Sequence, residues 1–130
     1  MITVLFQTES HFPVSRKKIR EAVVAGLAGK TNRKTEVGVS VVGDRRMRQL
    51  NKQFRQIDDT TDVLSFGLHE NTNSSPFVDP PDDTLRLGDI VVSYPQAVLE
   101  AAEENKLVDD KVAELVLHGL NHLLGIHHPE

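Results

Sequence analysis

Along this chain of 130 residues, apolar periodicity switches repeatedly between the two-residue repeat of a strand and the 3.6-residue repeat of a helix. That alternation restricts the fold more than any single motif. Residues 2–6 (ITVLF) are β-branched and apolar and predict a strand, ended by the polar group Gln7 to Ser10. Ser15 offers an N-cap to a helix in which Ile19, Val23 and Leu27 recur at helical spacing. Residues 35–42 (TEVGVSVV) alternate as a second strand, and Asp44 is the expected cap of a helix with Met47, Leu50 and Phe54 on its buried stripe. Val63, Leu64 and Phe66, entered through a polar turn, predict a third strand, and residues 88–93 a fourth. Pro95 suits the first turn of the helix that follows, and a last helix is expected from about Asp109 to Leu124, closed by Gly125. The stretch 67–86, with three prolines, reads as an exposed loop or flap near the cleft. Strands interleaved with helices in so short a chain predict an α/β or α+β fold: one domain over residues 1–130, with one mixed sheet of about four strands packed by four or five helices.

Composition narrows the chemistry. With no cysteine, disulfides, thiolate metal sites and a cysteine nucleophile are excluded, so any metal must be held by His, Asp, Glu or backbone. No run reaches the roughly 18 apolar residues of a membrane helix, and the N-terminus lacks an export pattern, so a cytoplasmic location is expected. The net charge of -4 conceals an asymmetry. Residues 1–56 hold 12 Lys and Arg against 4 Asp and Glu, whereas residues 57–130 hold 3 against 15. A phosphate-bearing ligand therefore has a positive region available, with Arg16, Lys17, Lys18, Arg20, Arg45, Arg46 and Arg48 as candidate RNA phosphate contacts. Five Phe, one Tyr and no Trp leave little for base stacking, so such binding should be chiefly electrostatic.

Four of the six histidines fall in the last thirteen residues. His118 and His122 are four apart, about 40° from each other around a helix, with Cβ atoms roughly 5–6 Å apart. Two imidazoles on one face suit a shared ion. Continuing the helix would carry His128 about 240° away from His122, so a reversal at Gly125 is expected to fold it back as a third ligand. Three neutral imidazoles leave one zinc position open, as in catalytic rather than structural sites. His127 competes with its neighbour as a ligand, and a histidine-rich helix end with solvated rings is the alternative.

The motif HGxxHxxGxxH, formed by His118, Gly119, His122, Gly125 and His128, resembles the signature of the YbeY family of endoribonucleases and ribosomal RNA maturation factors. Arg55 with TDVLSF at 61–66 and LGDIVVS at 87–93 extend the likeness from about Leu50 to the end. The resemblance implies a zinc-dependent, single-strand-specific endoribonuclease acting in 16S ribosomal RNA 3′-end maturation and ribosome quality control. Its implied partners are single-stranded RNA and the small ribosomal subunit or ribosome-associated proteins. It carries metal-ligand roles onto His118, His122 and His128, and a catalytic or phosphate-binding role onto Arg55. The family usually has Asp directly before the third histidine, where this chain has His127, and with Glu130 two residues past His128 the end of the site is expected to fray. Gly119 stands where HExxH peptidases place their glutamate base, which disfavours peptide hydrolysis. Asp62 and Asp89 are candidates for proton handling, although each also suits a structural role. A non-catalytic assembly factor with a structural metal, and a zinc hydrolase of another substrate, are the alternatives.

Overall fold

The computed structural model describes residues 1–9, 11–67 and 84–127. Its elements run β1 (Ile2–Thr8), α1 (Arg16–Leu27), β2 (Thr35–Val42), α2 (Asp44–Arg55), β3 (Val63–Phe66), β4 (Leu85–Ser93), α3 (Tyr94–Glu104) and α4 (Val108–His127). The four strands form one mixed sheet in the order β1-β2-β4-β3, with β1, β2 and β4 parallel and β3 antiparallel to β4. This is the α+β architecture that the alternating periodicity predicts.

Strand alternation sorts the side chains onto two faces. Val37, Val39 and Val41 of β2 and Leu87, Ile90 and Val92 of β4 form the larger core with Ile19, Val23 and Leu27 of α1 and Val116, Leu120 and Leu123 of α4. Leu64, Phe66, Val91 and Val42 point the other way and are covered by Met47 and Leu50 of α2. Burying each such aliphatic or aromatic side chain stabilises the fold by about 1.5–3 kcal/mol, so α1 and α4 are held to one face and α2 to the other. Both Leu87 and Ile90 can face the larger core because the β2–β4 register slips at Glu36/Val37. The slip centres on Gly88, whose φ of 136° is open only to glycine, and a Cβ there would lie 2.1 Å from the Phe66 carbonyl oxygen.

Ser15 caps α1 as expected, accepting from the Lys18 N–H at 3.2 Å. Asp44 does not cap α2. Gly43 occupies that position, and Asp44 sits in the first turn, where its carboxylate accepts from Thr60 Oγ1 (2.9 Å), Ser93 Oγ (2.8 Å) and Gln96 Nε2 (3.2 Å). The tertiary partners outcompete the local cap. A negative charge there also complements the helix dipole.

Two boundaries differ from expectation. Strand β4 begins at Leu85, because Leu85 and Arg86 pair with Thr35 and Glu36 of β2; most of the expected loop, 68–83, lies outside the described residues. Helix α4 continues past Leu124 to His127. Gly125 therefore does not close it, and the positive-φ glycines among the described residues are Gly29 and Gly88. Glycine permits a left-handed stop without requiring one. Leu123 and Leu124 pack into the core just before Gly125, and the backbone simply continues. Among the described residues, no helix is long and apolar enough to cross a membrane.

Candidate active site

β3 is an edge strand, and α4 and the C-terminal end of α2 meet there from opposite sides of the sheet. Its alternation sends Leu64 and Phe66 towards α2, whereas Val63 packs on the larger core and Ser65 reaches α4. Ser65 Oγ lies 2.5 Å from His122 Nδ1. The Ser65 carbonyl accepts a hydrogen bond from Arg55 Nη2 at 3.0 Å. One residue thus holds the imidazole through its side chain and the guanidinium through its backbone.

Arg55 is further fixed by Nη1 donating to the Phe54 carbonyl at 3.2 Å and by its guanidinium carbon lying 5.0 Å from the Phe66 ring centroid. Phe66 in turn packs against Phe54, centroids 4.9 Å apart. A planar cation resting on an aromatic face loses little further freedom when it grips an anion.

On α4, His118 and His122 are both exposed, while Gly119 between them is buried against the sheet. A Cβ at Gly119 would come within 2.7 Å of Ile90 Cγ2. The helix can approach β4 this closely only without a side chain at 119, and that approach puts His122 within reach of Ser65. Two imidazoles one turn apart, one with Nδ1 already engaged, fit the donor chemistry of zinc and similar divalent ions, since Nε2 then lies on the ring edge away from Ser65. The helical path through Gly125 removes the expected reversal at that residue, and His128 lies outside the described residues. Among the described residues, no three His, Cys, Asp or Glu side chains are grouped to hold a metal.

The basic candidates divide between the two faces. On α1, Arg16 rests over the Phe6 ring at 4.8 Å, Lys18 pairs with Asp110 at 3.0 Å and Arg20 donates to the Ile2 carbonyl at 3.4 Å, with Lys17 exposed beside them. On α2, across the sheet, Arg45, Arg46 and Arg48 are exposed, and Arg48 pairs with Asp58 at 2.8 Å. Arg46 lines a groove of about 530 Å³ between α2 and the part of the sheet it leaves uncovered. Gln7, Ser40 and Asp89 contribute to the groove from the strands, and Phe54 and Phe66 bring it up to Arg55.

Of the two acids considered for proton transfer, Asp62 is tied into the scaffold, whereas Asp89 is exposed on the wall of the groove. Asp62 accepts from the Val63 N–H at 2.7 Å and shares a hydrogen bond with Glu100. Asp89 lies over Gly38, where a Cβ would meet its Oδ1 at 2.2 Å. Glu100 belongs to a second cluster that periodicity did not reveal, centred on Lys111. That ammonium is buried and contacts Glu100 at 3.3 Å, Glu104 at 2.8 Å, and Glu114. The hydrogen bonds that Lys111 donates to Glu104 and Glu114 raise its pKa, and those donated by Lys106 and Lys111 hold Glu114 down to about 2. Burial, then the bond with Asp62, pushes Glu100 upward.

The sequence motifs contain Ser65, but spacing alone assigns it no role. The available signal is the alternation of VLSF, which turns a hydroxyl toward the core, where it must find a partner.

Fold and site together describe an α+β protein with paired imidazoles and a stacked guanidinium at one sheet edge. Residues 5–130 match the family model described as Endoribonuclease YbeY, and the chain belongs to that family. A relative from Dehalococcoides mccartyi named Endoribonuclease YbeY is 39% identical over 119 residues, covering 88% of this chain and 68% of that protein. One from Chloroflexus aurantiacus with the same name is 34% identical over 129 residues, covering 98% and 82%. The solution structure of TM1509 from Thermotoga maritima matches with a TM-score of 0.59 and 26% identity, over 94% of this chain and 72% of that one. The chain spans between 61% and 68% of the length of the three Dehalococcoides mccartyi relatives it matches.

Proposed function

We propose that this chain is a zinc-dependent, single-strand-specific endoribonuclease that matures ribosomal RNA, with the 16S 3′ end as its target, and serves ribosome quality control in the cytoplasm. Residues 1–130 act in this reading as one metal-dependent hydrolase domain, with the small ribosomal subunit or its associated proteins as partner. The observation that carries it is the convergence of His122 and Arg55 on Ser65, in a family whose relatives are named endoribonucleases.

His118, His122 and His128 are the proposed zinc ligands. Zinc held there supplies Lewis acidity toward a phosphoryl oxygen and toward water. Arg55 takes the negative charge of the phosphodiester, because its guanidinium is permanently charged and Phe66 already sets its plane. The groove beside Phe66 accepts the adjoining nucleotide, with Arg46 on its wall. A strand laid there meets Arg45, Arg46 and Arg48 of α2; Arg16, Lys17, Lys18 and Arg20 of α1, on the opposite face, serve a second stretch of RNA. RNA is favoured over peptide because position 119 packs on Ile90 and cannot carry a peptidase glutamate.

Elemental analysis and cleavage of single-stranded RNA by the wild type and His122→Ala test this reading. Zinc in the wild type, with cleavage lost in the variant, supports it. Equal cleavage by both proteins overturns it. Metal in the wild type without cleavage leaves the assembly-factor alternative, and cleavage of a peptide library instead leaves the hydrolase of another substrate.

A further inference from the structure

We propose that Ser65 is a positioning residue that sets which nitrogen of His122 is presented to the metal, an inference that rests on the metal reading above. A buried hydroxyl requires a hydrogen-bond partner, and that of Ser65, 9% exposed, is His122 Nδ1. An imidazole that ligates a metal through Nε2 ordinarily donates its Nδ1–H to a neighbouring acceptor, which fixes tautomer and ring orientation together. The Ser65 oxygen carries the lone pairs to be that acceptor. Its low exposure and its engagement with His122 Nδ1 favour a positioning role over a nucleophilic one.

The same residue places Arg55, but by a different group. Arg55 Nη2 donates to the backbone carbonyl of Ser65, so the imidazole depends on the side chain and the guanidinium on the main chain. The two dependences are separable. Removing the hydroxyl releases the ring while the carbonyl keeps its place in a strand paired to β4.

The test compares wild type, Ser65→Ala and Ser65→Thr. Zinc affinity is read by competition with a chromophoric chelator, and the His122 tautomer by nitrogen-15 NMR of the metal-free wild type at a pH where the ring is neutral. Loss of such a partner typically costs about 10–100-fold in metal affinity, so Ser65→Ala should bind zinc that much more weakly, and Ser65→Thr should recover most of the difference. The wild-type ring should carry its proton on Nδ1. With RNA, the Ser65→Ala defect should appear in kcat, leaving KM within about twofold because Arg55 keeps its carbonyl. Unchanged zinc affinity in Ser65→Ala, or an Nε2–H ring in the wild type, overturns the role of Ser65 while leaving the metal reading intact. A wild type that binds no zinc overturns both. If Ser65→Ala fails to fold, the wild-type tautomer decides.

Discussion

Over residues 108–117, helix α4 turns Lys111 inward against carboxylates from two helices, whereas beyond them it carries His118 and His122 exposed along its flank. The two halves belong to one continuous helix and pack on one core, so the difference lies in what surrounds each polar group. Lys111 is saturated: Glu100, Glu104 and Glu114 compensate the cost of burying it, and only 7% of its side chain is exposed. His122 is an exposed residue with one nitrogen engaged by Ser65. Saturation makes a polar group a fastener; partial engagement makes it a presented ligand.

The sharpest way to break the comparison is to exchange the consequences of mutation at its two ends. His118→Ala and His122→Ala are each expected to lower RNA cleavage by about 100-fold or more, as removal of a catalytic metal ligand should, with melting temperatures near that of the wild type. Single-turnover cleavage assays beside thermal melts would check both halves of that expectation.

Between the two ends, Gly119→Ala should destabilise by about 1–3 kcal/mol through overpacking against buried Ile90, measured by urea unfolding. It should also weaken cleavage, because pushing α4 off β4 moves His122 away from Ser65.

Lys111→Ala should do the reverse of the histidine changes, leaving cleavage largely intact while costing stability. Breaking a fully buried pair costs about 3–5 kcal/mol, but the carboxylates here are 28–45% exposed, so about 1–2 kcal/mol is expected. Denaturant unfolding of variant and wild type measures it.

The smallest effect is on pH dependence. Glu114 and Glu104 have lowered pKa values in the fold, so their contribution is fully present above the ordinary carboxylate range and is lost as pH falls through their lowered values, about 2 for Glu114. Glu100, raised by burial, has the opposite sign and favours folding slightly as it protonates. Two lowered groups against one raised group predict net acid destabilisation, and the slope of unfolding free energy between pH 5 and 2 should flatten in Lys111→Ala. An unchanged slope would show that the cluster does not distinguish the two halves of α4.

Much of the fold was legible because strand and helix periods are local: the residues that set them stand within a few positions of one another. The cap at Ser15, the stripe of Met47 and Leu50 and the shared face of His118 and His122 all follow from such short-range geometry. Gly125 misled for the same reason, since a glycine's permission to stop a helix is local and the packing that carries α4 onward is not. Asp44 was drawn from its expected cap by Ser93 and Gln96, about fifty residues later.

Residue order by itself determined the kinds of element, the pairing of two imidazoles on one helix face and the motifs that mark the family. Only the tertiary structure decided that α1 and α2 would carry their cations to opposite faces of the sheet, that Gly119 would press on Ile90, and that Ser65 would join His122 to Arg55. Ser65 and His122 are 57 positions apart. Periodicity says which side chains point the same way along one element, but strand order and helix placement choose which elements become neighbours, and those depend on the burial of the whole apolar surface at once.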